Sequence, residues 1–337
     1  MNKGDEVMNI PETMNAAIMR GYGGPEVLAV ESRPVPHPSA AQVLIQVEAA
    51  GVNGPDIMQR KGLYPAPPGA SDLLGLEVAG KVVSRGADVT AWALGDHVTA
   101  LTDGGGYAQY CVADARHCLP IPDGVSVRDA AGLPESFITV WSNLFLEGGL
   151  KAGETLLVHG GAGGIGTAAI QLAKAFGVRV FATDSPAKRC EVCTGLGADR
   201  VIDYASEDFV SVVREAGGAD MILDIVGGGY IERNIKAASP GARIVQLAFA
   251  LGSKVEINLM PVMLKRITYT GSTLRTRPSE FKARTVAELR DQVWPKIASG
   301  RIRVVTSQVF PLAEAARAHD AMQNATHTGK ILLDPNA

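Results

Sequence analysis

The chain has 337 residues, 46% of them hydrophobic and 20% charged, which is material for two compact domains with their own cores and excludes a disordered or coiled-coil chain. With 32 basic and 35 acidic residues the formal net charge is -3 at pH 7, so there is no broad cationic face for a phosphate backbone, and nucleic acid is not expected as the main partner. Four cysteines, Cys111, Cys118, Cys190 and Cys193, are too few for a disulfide scaffold and read as reduced thiols. Cys190 and Cys193 lack the second ligand pair of a zinc knuckle and fit successive turns of a helix.

Residues 1–13 are polar and mildly acidic and read as an N-terminal extension without the basic start and apolar run of a signal peptide. No apolar stretch approaches membrane-spanning length, so a cytoplasmic protein with no membrane partner is expected. From Met14 to Val112 the periodicity is two, with strands expected at Gln42 to Glu48, Glu77 to Ser84 and His97 to Leu101. The Pro-rich loops Arg33 to Pro38 and Tyr64 to Gly69 suit the corners of a small, strongly curved antiparallel barrel.

After Pro120-Ile121-Pro122-Asp123-Gly124 buried strands alternate with amphipathic helices. The expected order is strand Thr155 to His159, helix Gly164 to Phe176, strand Val178 to Ala182, helix Ala187 to Leu196, and strands Arg200 to Asp203, Met221 to Leu223, Arg243 to Leu247 and Ile267 to Thr270. This βαβ repeat predicts an α/β fold with a Rossmann-type, doubly wound parallel sheet. Beyond it come a long helix from about Ser279 to Ser299, a helix Leu312 to Asn324 and a strand Lys330 to Leu333, a tail expected to return to the first domain. The domains are therefore drawn as 14–134 with 278–337, and 135–277, and a cleft between two domains is where a ligand is expected.

Gly161-Ala162-Gly163-Gly164-Ile165-Gly166 follows a buried strand and opens an amphipathic helix, the context in which such glycines hold the pyrophosphate of a dinucleotide. Gly161 permits the turn, Gly163 lets backbone N–H groups approach, and Gly166 lets helix and strand pack. An ATP-binding loop would carry Lys after the last glycine, where this chain has Thr167. At the end of the next strand the signals conflict. Asp184 could accept bonds from the ribose hydroxyls of NADH, or cap the helix that starts near Pro186, whereas Lys188 and Arg189 could pair with the 2'-phosphate of NADPH. Tyr204 is a candidate to cover adenine or phosphate; Phe249 and Trp141 are candidate apolar walls or core residues. His159 reads mainly as structural, and Asp224 as a supporting residue at the carboxyl end of the sheet.

With these motifs in hand the chain resembles the zinc-independent medium-chain dehydrogenases/reductases, in their NAD(P)H:quinone oxidoreductase (zeta-crystallin-like) branch. The resemblance is carried by Gly51-Val52-Asn53, Asp56, Gly62-Leu63-Tyr64-Pro65, Gly75-Leu76-Glu77, His159 to Gly166 and Gly329-Lys330, and residues 56–71 resemble the tumour-suppressor-inducible subfamily. It implies a GroES-like catalytic domain around the expected barrel, NADPH as cofactor (NADH remaining open because of Asp184), a quinone or other conjugated carbonyl as substrate, and a homodimer joined along the Ile267 to Thr270 edge. It also implies that Asn53 and Tyr64 lie near nicotinamide and acceptor, and that Lys330 belongs to the cofactor site.

Zinc-dependent relatives carry a metal-binding Cys at the position of Asn53 and a metal-binding His at that of Leu76, so no zinc is expected. That substitution bears on the reaction. Hydride addition to an aldehyde makes a strongly basic alkoxide, whereas a quinone gives a phenolate whose conjugate acid, like Tyr, has a pKa of about 10. Direct, metal-free hydride transfer to a quinone is the leading expectation; an enone or enoyl reductase and a non-catalytic dinucleotide- or RNA-binding protein are the alternatives.

Overall fold

The computed structural model describes residues 10–325 and 327–337, and most of the expected extension, residues 1–9, lies outside them. Two compact units form. One takes in the described residues up to Glu135 together with Pro278–Ala337, the other Ser136–Arg277. Among the described residues no helix is long and apolar enough to cross a membrane.

The first unit opens with a hairpin of β1 (Thr13–Met19) and β2 (Leu28–Pro34), followed by β3 (Gln42–Val52), α1 (Gly54–Arg60), β4 (Glu77–Arg85), β5 (His97–Leu101), β6 (Tyr110–Asp114), β7 (Cys118–Pro120) and α2 (Val127–Ala130). β3 is long enough to change partners. Its first half pairs antiparallel with β6, and its second half, Ala50 to Val52, pairs with the C-terminal strand. β4 runs along its other edge with two register shifts, and such bulges bend a strand. Val43, Ile45 and Val47 of β3, Val78 and Val82 of β4 and Val98 of β5 share one buried core.

α3 (Pro134–Val140) leads into a π-helical segment, Trp141–Glu147, and then the second unit alternates β8 (Thr155–His159), α4 (Gly164–Ala175), β9 (Arg179–Asp184), α5 (Ala187–Gly195), β10 (Arg200–Asp203), α6 (Phe209–Glu215), β11 (Ala219–Asp224), α7 (Tyr230–Ala237), β12 (Ala238–Gln246), α8 (Met260–Lys265) and β13 (Thr268–Gly271). The strands lie parallel in the order β10-β9-β8-β11-β12-β13, with β8 central and the order reversing beside it. This is the doubly wound arrangement, and ligands of such sheets collect where the order reverses. β8 is buried along its whole length, which explains its unbroken apolar run.

The chain then returns to the first unit with α9 (Ser279–Gln292), α10 (Trp294–Ala298), β14 (Thr306–Pro311), α11 (Ala315–Gln323) and β15 (Lys330–Asp334). The single long helix expected over Ser279 to Ser299 is broken at Val293, because Pro295 in the following turn has no N–H to continue the ladder. The helix expected from Leu312 starts as a 3-10 turn, Leu312–Glu314, before α11. β15 completes the sheet between β14 and β3 and carries Lys330 at its first position.

Candidate active site

In the second unit the strand end bolts the glycine turn in place. The Thr183 carbonyl accepts from Gly160 N and Gly161 N, both at 3.0 Å, and Asp184 Oδ2 accepts from Ala162 N at 2.7 Å. Gly163 is the N-cap of α4 and no side chain caps that helix, so its first turn presents backbone donors with the positive end of the dipole. A Cβ built on Gly163 would have only the Gly160 carbonyl oxygen near it, at 3.4 Å, so the space above the turn is open to a phosphate. The turn therefore fits a dinucleotide.

His159 lies beneath that turn, fully buried, with Nδ1 2.9 Å from Thr183 Oγ1 and Nε2 2.7 Å from Asn234 Oδ1. Asn234 donates its Nδ2 to Asp224 Oδ2 at 2.9 Å, so its oxygen faces His159, and the ring proton sits on Nε2. Burial lowers the His159 pKa, which keeps the ring neutral. Asp224 Oδ1 holds the backbone N–H groups of Val226 and Gly227. This row shapes the end of the sheet. Trp141 is buried and stacks on Phe145 with ring centroids 4.6 Å apart, so it belongs to the core.

Asp184 is only 3% exposed, and besides Ala162 N it accepts from Ser185 N at 2.8 Å and from Arg189 Nε at 2.6 Å. It does not cap α5, whose N-cap is Pro186 with no side-chain bond. Its charge is offset by Arg189 and its oxygens are occupied by the turn. Lys188 is exposed on the first turn of α5, and Tyr204, 49% exposed, is brought to the same strand end by its N–H on the Asp184 carbonyl at 3.3 Å. Phe249 is half-exposed beyond β12, with its ring lying against Gly227.

In the first unit Asn53 is the N-cap of α1, in a capping box with Asp56, and its amide also reaches two other segments. Nδ2 donates to Glu77 Oε1 at 2.9 Å and Oδ1 accepts from Lys330 Nζ at 2.5 Å. Lys330 Nζ is 2.6 Å from Glu77 Oε1, and both side chains are buried. Asn53 is thus part of a closed triangle with an ion pair. Glu77 reaches it only because Gly51 has no side chain: a Cβ there would stand 2.0 Å from Glu77 Oε1. The other Glu77 oxygen accepts from Glu135 N at 2.8 Å. Burial, with Glu77 adding like charge, pushes the Glu135 carboxyl up to about 8, so it is protonated at neutral pH. Leu76, beside Glu77, is buried. Tyr64 stands on the loop after α1, partly exposed.

Asn53, expected near the nicotinamide, and Lys330, expected in the cofactor site, are therefore in contact. Glu135 and the role of Glu77 escaped sequence reasoning. The Pro134-Glu135 start of α3 was the available signal, the one charged residue of a buried helix and in its first turn. Among the described residues no group of three or more His, Cys, Asp or Glu is placed to hold a metal ion.

Fold and sites define a two-unit dinucleotide-dependent oxidoreductase. Residues 39–123 match the alcohol dehydrogenase GroES-like domain and residues 164–290 the zinc-binding dehydrogenase domain. The quinone oxidoreductase of Mus musculus is 31% identical over 328 residues, 95% of this chain and 97% of the mouse protein. The structure of Escherichia coli quinone oxidoreductase complexed with NADPH superposes with a TM-score of 0.85 at 28% identity, covering 95% of this chain and 100% of that one. Phthioceranic/hydroxyphthioceranic acid synthase of Mycobacterium tuberculosis is 31% identical over 303 residues, 88% of this chain but 14% of the synthase. The chain belongs to the medium-chain dehydrogenase/reductase superfamily.

Proposed function

We propose that the chain is an NADPH-dependent quinone reductase that transfers hydride directly and without a metal. The observation that carries this is the Asn53 amide, fixed between Lys330 and Glu77 where zinc-dependent relatives carry a metal-binding Cys. An amide locked in this way positions its neighbours and offers no metal ligand. When bound, NADPH supplies the hydride. Gly161 to Gly166 hold its pyrophosphate, Lys188, Arg189 and Tyr204 its 2'-phosphate end, and Asn53, Tyr64 and Lys330 orient nicotinamide and acceptor, with Phe249 as an apolar wall. Asp184 supports NADPH over NADH, because a carboxylate already paired with Arg189 neither repels the phosphate strongly nor has oxygens left for a ribose.

The stretch shared with an acid synthase favours a second reading, in which the acceptor is an enone or enoyl thioester. Mixing the protein with NADPH or NADH and either 1,4-benzoquinone or a simple enone, and following cofactor absorbance, separates the two. Oxidation with neither acceptor refutes both. We further propose that the protein acts in the cytoplasm as a homodimer joined along β13. That strand ends the sheet, all four of its residues are exposed, and Met260, Met263 and Leu264 of α8 are more than half exposed nearby in the chain.

A further inference from the structure

Behind the Asn53 triangle a row of buried polar side chains runs through the first unit. Arg60, at the end of α1, is fully buried; its Nε donates to the Gly23 carbonyl at 3.2 Å, Nη2 to the Gln323 carboxamide, and Nη1 to His319 Nδ1 at 3.2 Å. A guanidinium only donates, so His319 Nδ1 must accept, which leaves the ring neutral with its proton on Nε2. That Nε2 is 3.1 Å from Tyr107 Oη, which takes the proton's bond and directs its own hydroxyl proton elsewhere. Asp56 Oδ2, at 3.2 Å, accepts it. The same carboxylate accepts from Asn53 N at 2.9 Å and Gly75 N at 3.0 Å. Every bond in the row points one way, and Asp56 is where they converge.

We propose that Arg60, His319, Tyr107 and Asp56 form a one-way hydrogen-bond relay that keeps the Asp56 carboxylate ionised and thereby sets Asn53 and Glu77 around Lys330. Asp56 is suited to this because it grips both segments that build the triangle, at Asn53 itself and at Gly75, two residues before Glu77. The four are positioning residues, and the inference rests on the reading of Asn53 and Lys330 as reductase residues. Burial raises Asp56 to about 6, against the pull of its three donors and the Lys330 charge. The other groups around it are Arg60 on its own helix, His319 from α11, Tyr107 from the strand β6 approach, Glu77 from β4 and Glu135. His319 is pushed down to about 3 by burial and the Arg60 charge, so it stays neutral while Asp56 titrates. Once Asp56 takes a proton it no longer accepts on every side, and the grip on Asn53 and Gly75 loosens.

Two measurements on the full chain test this. Nitrogen-15 NMR of histidine-labelled protein reads the tautomer without any turnover. The expected result is His319 neutral with the proton on Nε2 from pH 5 to 8; an ordinary titration near 6.5, or a proton on Nδ1, overturns the relay. In Tyr107→Phe one donor to the charged carboxylate is lost, so the acid limb of kcat/KM should move up by about one pH unit, giving about a fivefold loss at pH 6 that approaches about tenfold at lower pH and shrinks as pH rises. A loss equal at every pH marks a merely structural role and also overturns it. If the wild-type protein reduces neither quinone nor enone, the reductase reading falls, while the histidine spectrum still decides the relay.

Discussion

Replacing Gly163 and Gly166 separately by Ala divides the ligand-holding work of the turn from its packing work. A Cβ on Gly163 would meet only one backbone oxygen, at 3.4 Å, and the φ of -78° there suits any residue. The fold then loses only the difference between Gly and Ala at an N-cap, ~0.5–1 kcal/mol. At Gly166 a Cβ would stand 2.2 Å from the Gly160 carbonyl oxygen and 2.6 Å from Gly161 Cα. Both are backbone atoms bolted to Thr183 and Asp184, so helix and turn must part, at a cost of ~1–3 kcal/mol or more. Urea unfolding reads the packing work and NADPH fluorescence titration the ligand-holding work. Gly163→Ala should unfold within about 1 kcal/mol of wild type yet bind NADPH at least about tenfold more weakly, since its methyl fills the space left for phosphate oxygens. Gly166→Ala should lose both stability and binding. A Gly163→Ala variant that binds NADPH at full strength would refute the placement of the pyrophosphate on this turn.

Arg189→Met uncovers the Asp184 charge, so NADPH affinity should fall about tenfold more than NADH affinity in parallel titrations; equal losses would remove Arg189 from the 2'-phosphate site. For Glu135 the folded pKa of about 8 lies above the usual 4.5, so the group's contribution to stability is full below pH 4.5 and lost as pH rises through 8. Glu135→Gln should therefore gain ~1 kcal/mol over wild type between pH 7 and pH 9 in denaturant unfolding, and a difference constant with pH would show that Glu135 is not protonated when folded. His159→Leu removes the ring nitrogens that Thr183 Oγ1 and Asn234 Oδ1 now bond and should cost about 2–4 kcal/mol; unchanged stability with lost turnover would instead make His159 an acid/base residue. Met263→Glu places a charge on a residue 64% exposed, so it should leave the fold intact and give a monomer in sedimentation, an assay in which a monomeric wild type would refute the proposed interface.

Periodicity made the second unit legible almost strand by strand: Thr155 to His159, buried along its whole length, appears with the expected bounds because a parallel strand buried on both faces needs no partner to be seen, and the edge strand Arg200 to Asp203 also appears with its expected bounds. The first unit was harder. β6 alternates only between intermediate and buried positions and β14 only between intermediate and exposed ones, so neither shows a full inside-outside contrast, and β1, paired with β2 in a two-stranded sheet, forms an isolated bridge, Ala16 to Ala108, with the rest of the unit. β6 owes its existence to β3, a partner far away in the chain that no local window contains. The same limit applies at the site. Asn53 and Lys330 could each be singled out from its motif, but their contact spans 277 residues and is set by β3 pairing with β15. Asp184 looked free to choose between a ribose and a helix cap; its use by Ala162 N and Arg189 depends on the turn folding back onto the strand end, 22 residues apart.

The charges around Asn53 explain why one carboxyl of the cluster keeps its proton. Around Asn53, Lys330 and Arg60 bring two buried positive charges that Glu77 and an ionised Asp56 match, while the buried Lys282 is paired with Asp103. A third carboxylate would have no partner, and an unpaired buried charge is far more costly than a neutral acid, so Glu135 stays protonated. The balance also limits what the site can stabilise. On the proposed function, Lys330, already paired with Glu77, would offer a developing oxyanion only part of a charge, less than a metal ion would. A phenolate or enolate needs no more than that, and an alkoxide does. For the proposed reaction, the Asn53 amide and the charges around it therefore support the same class of acceptor.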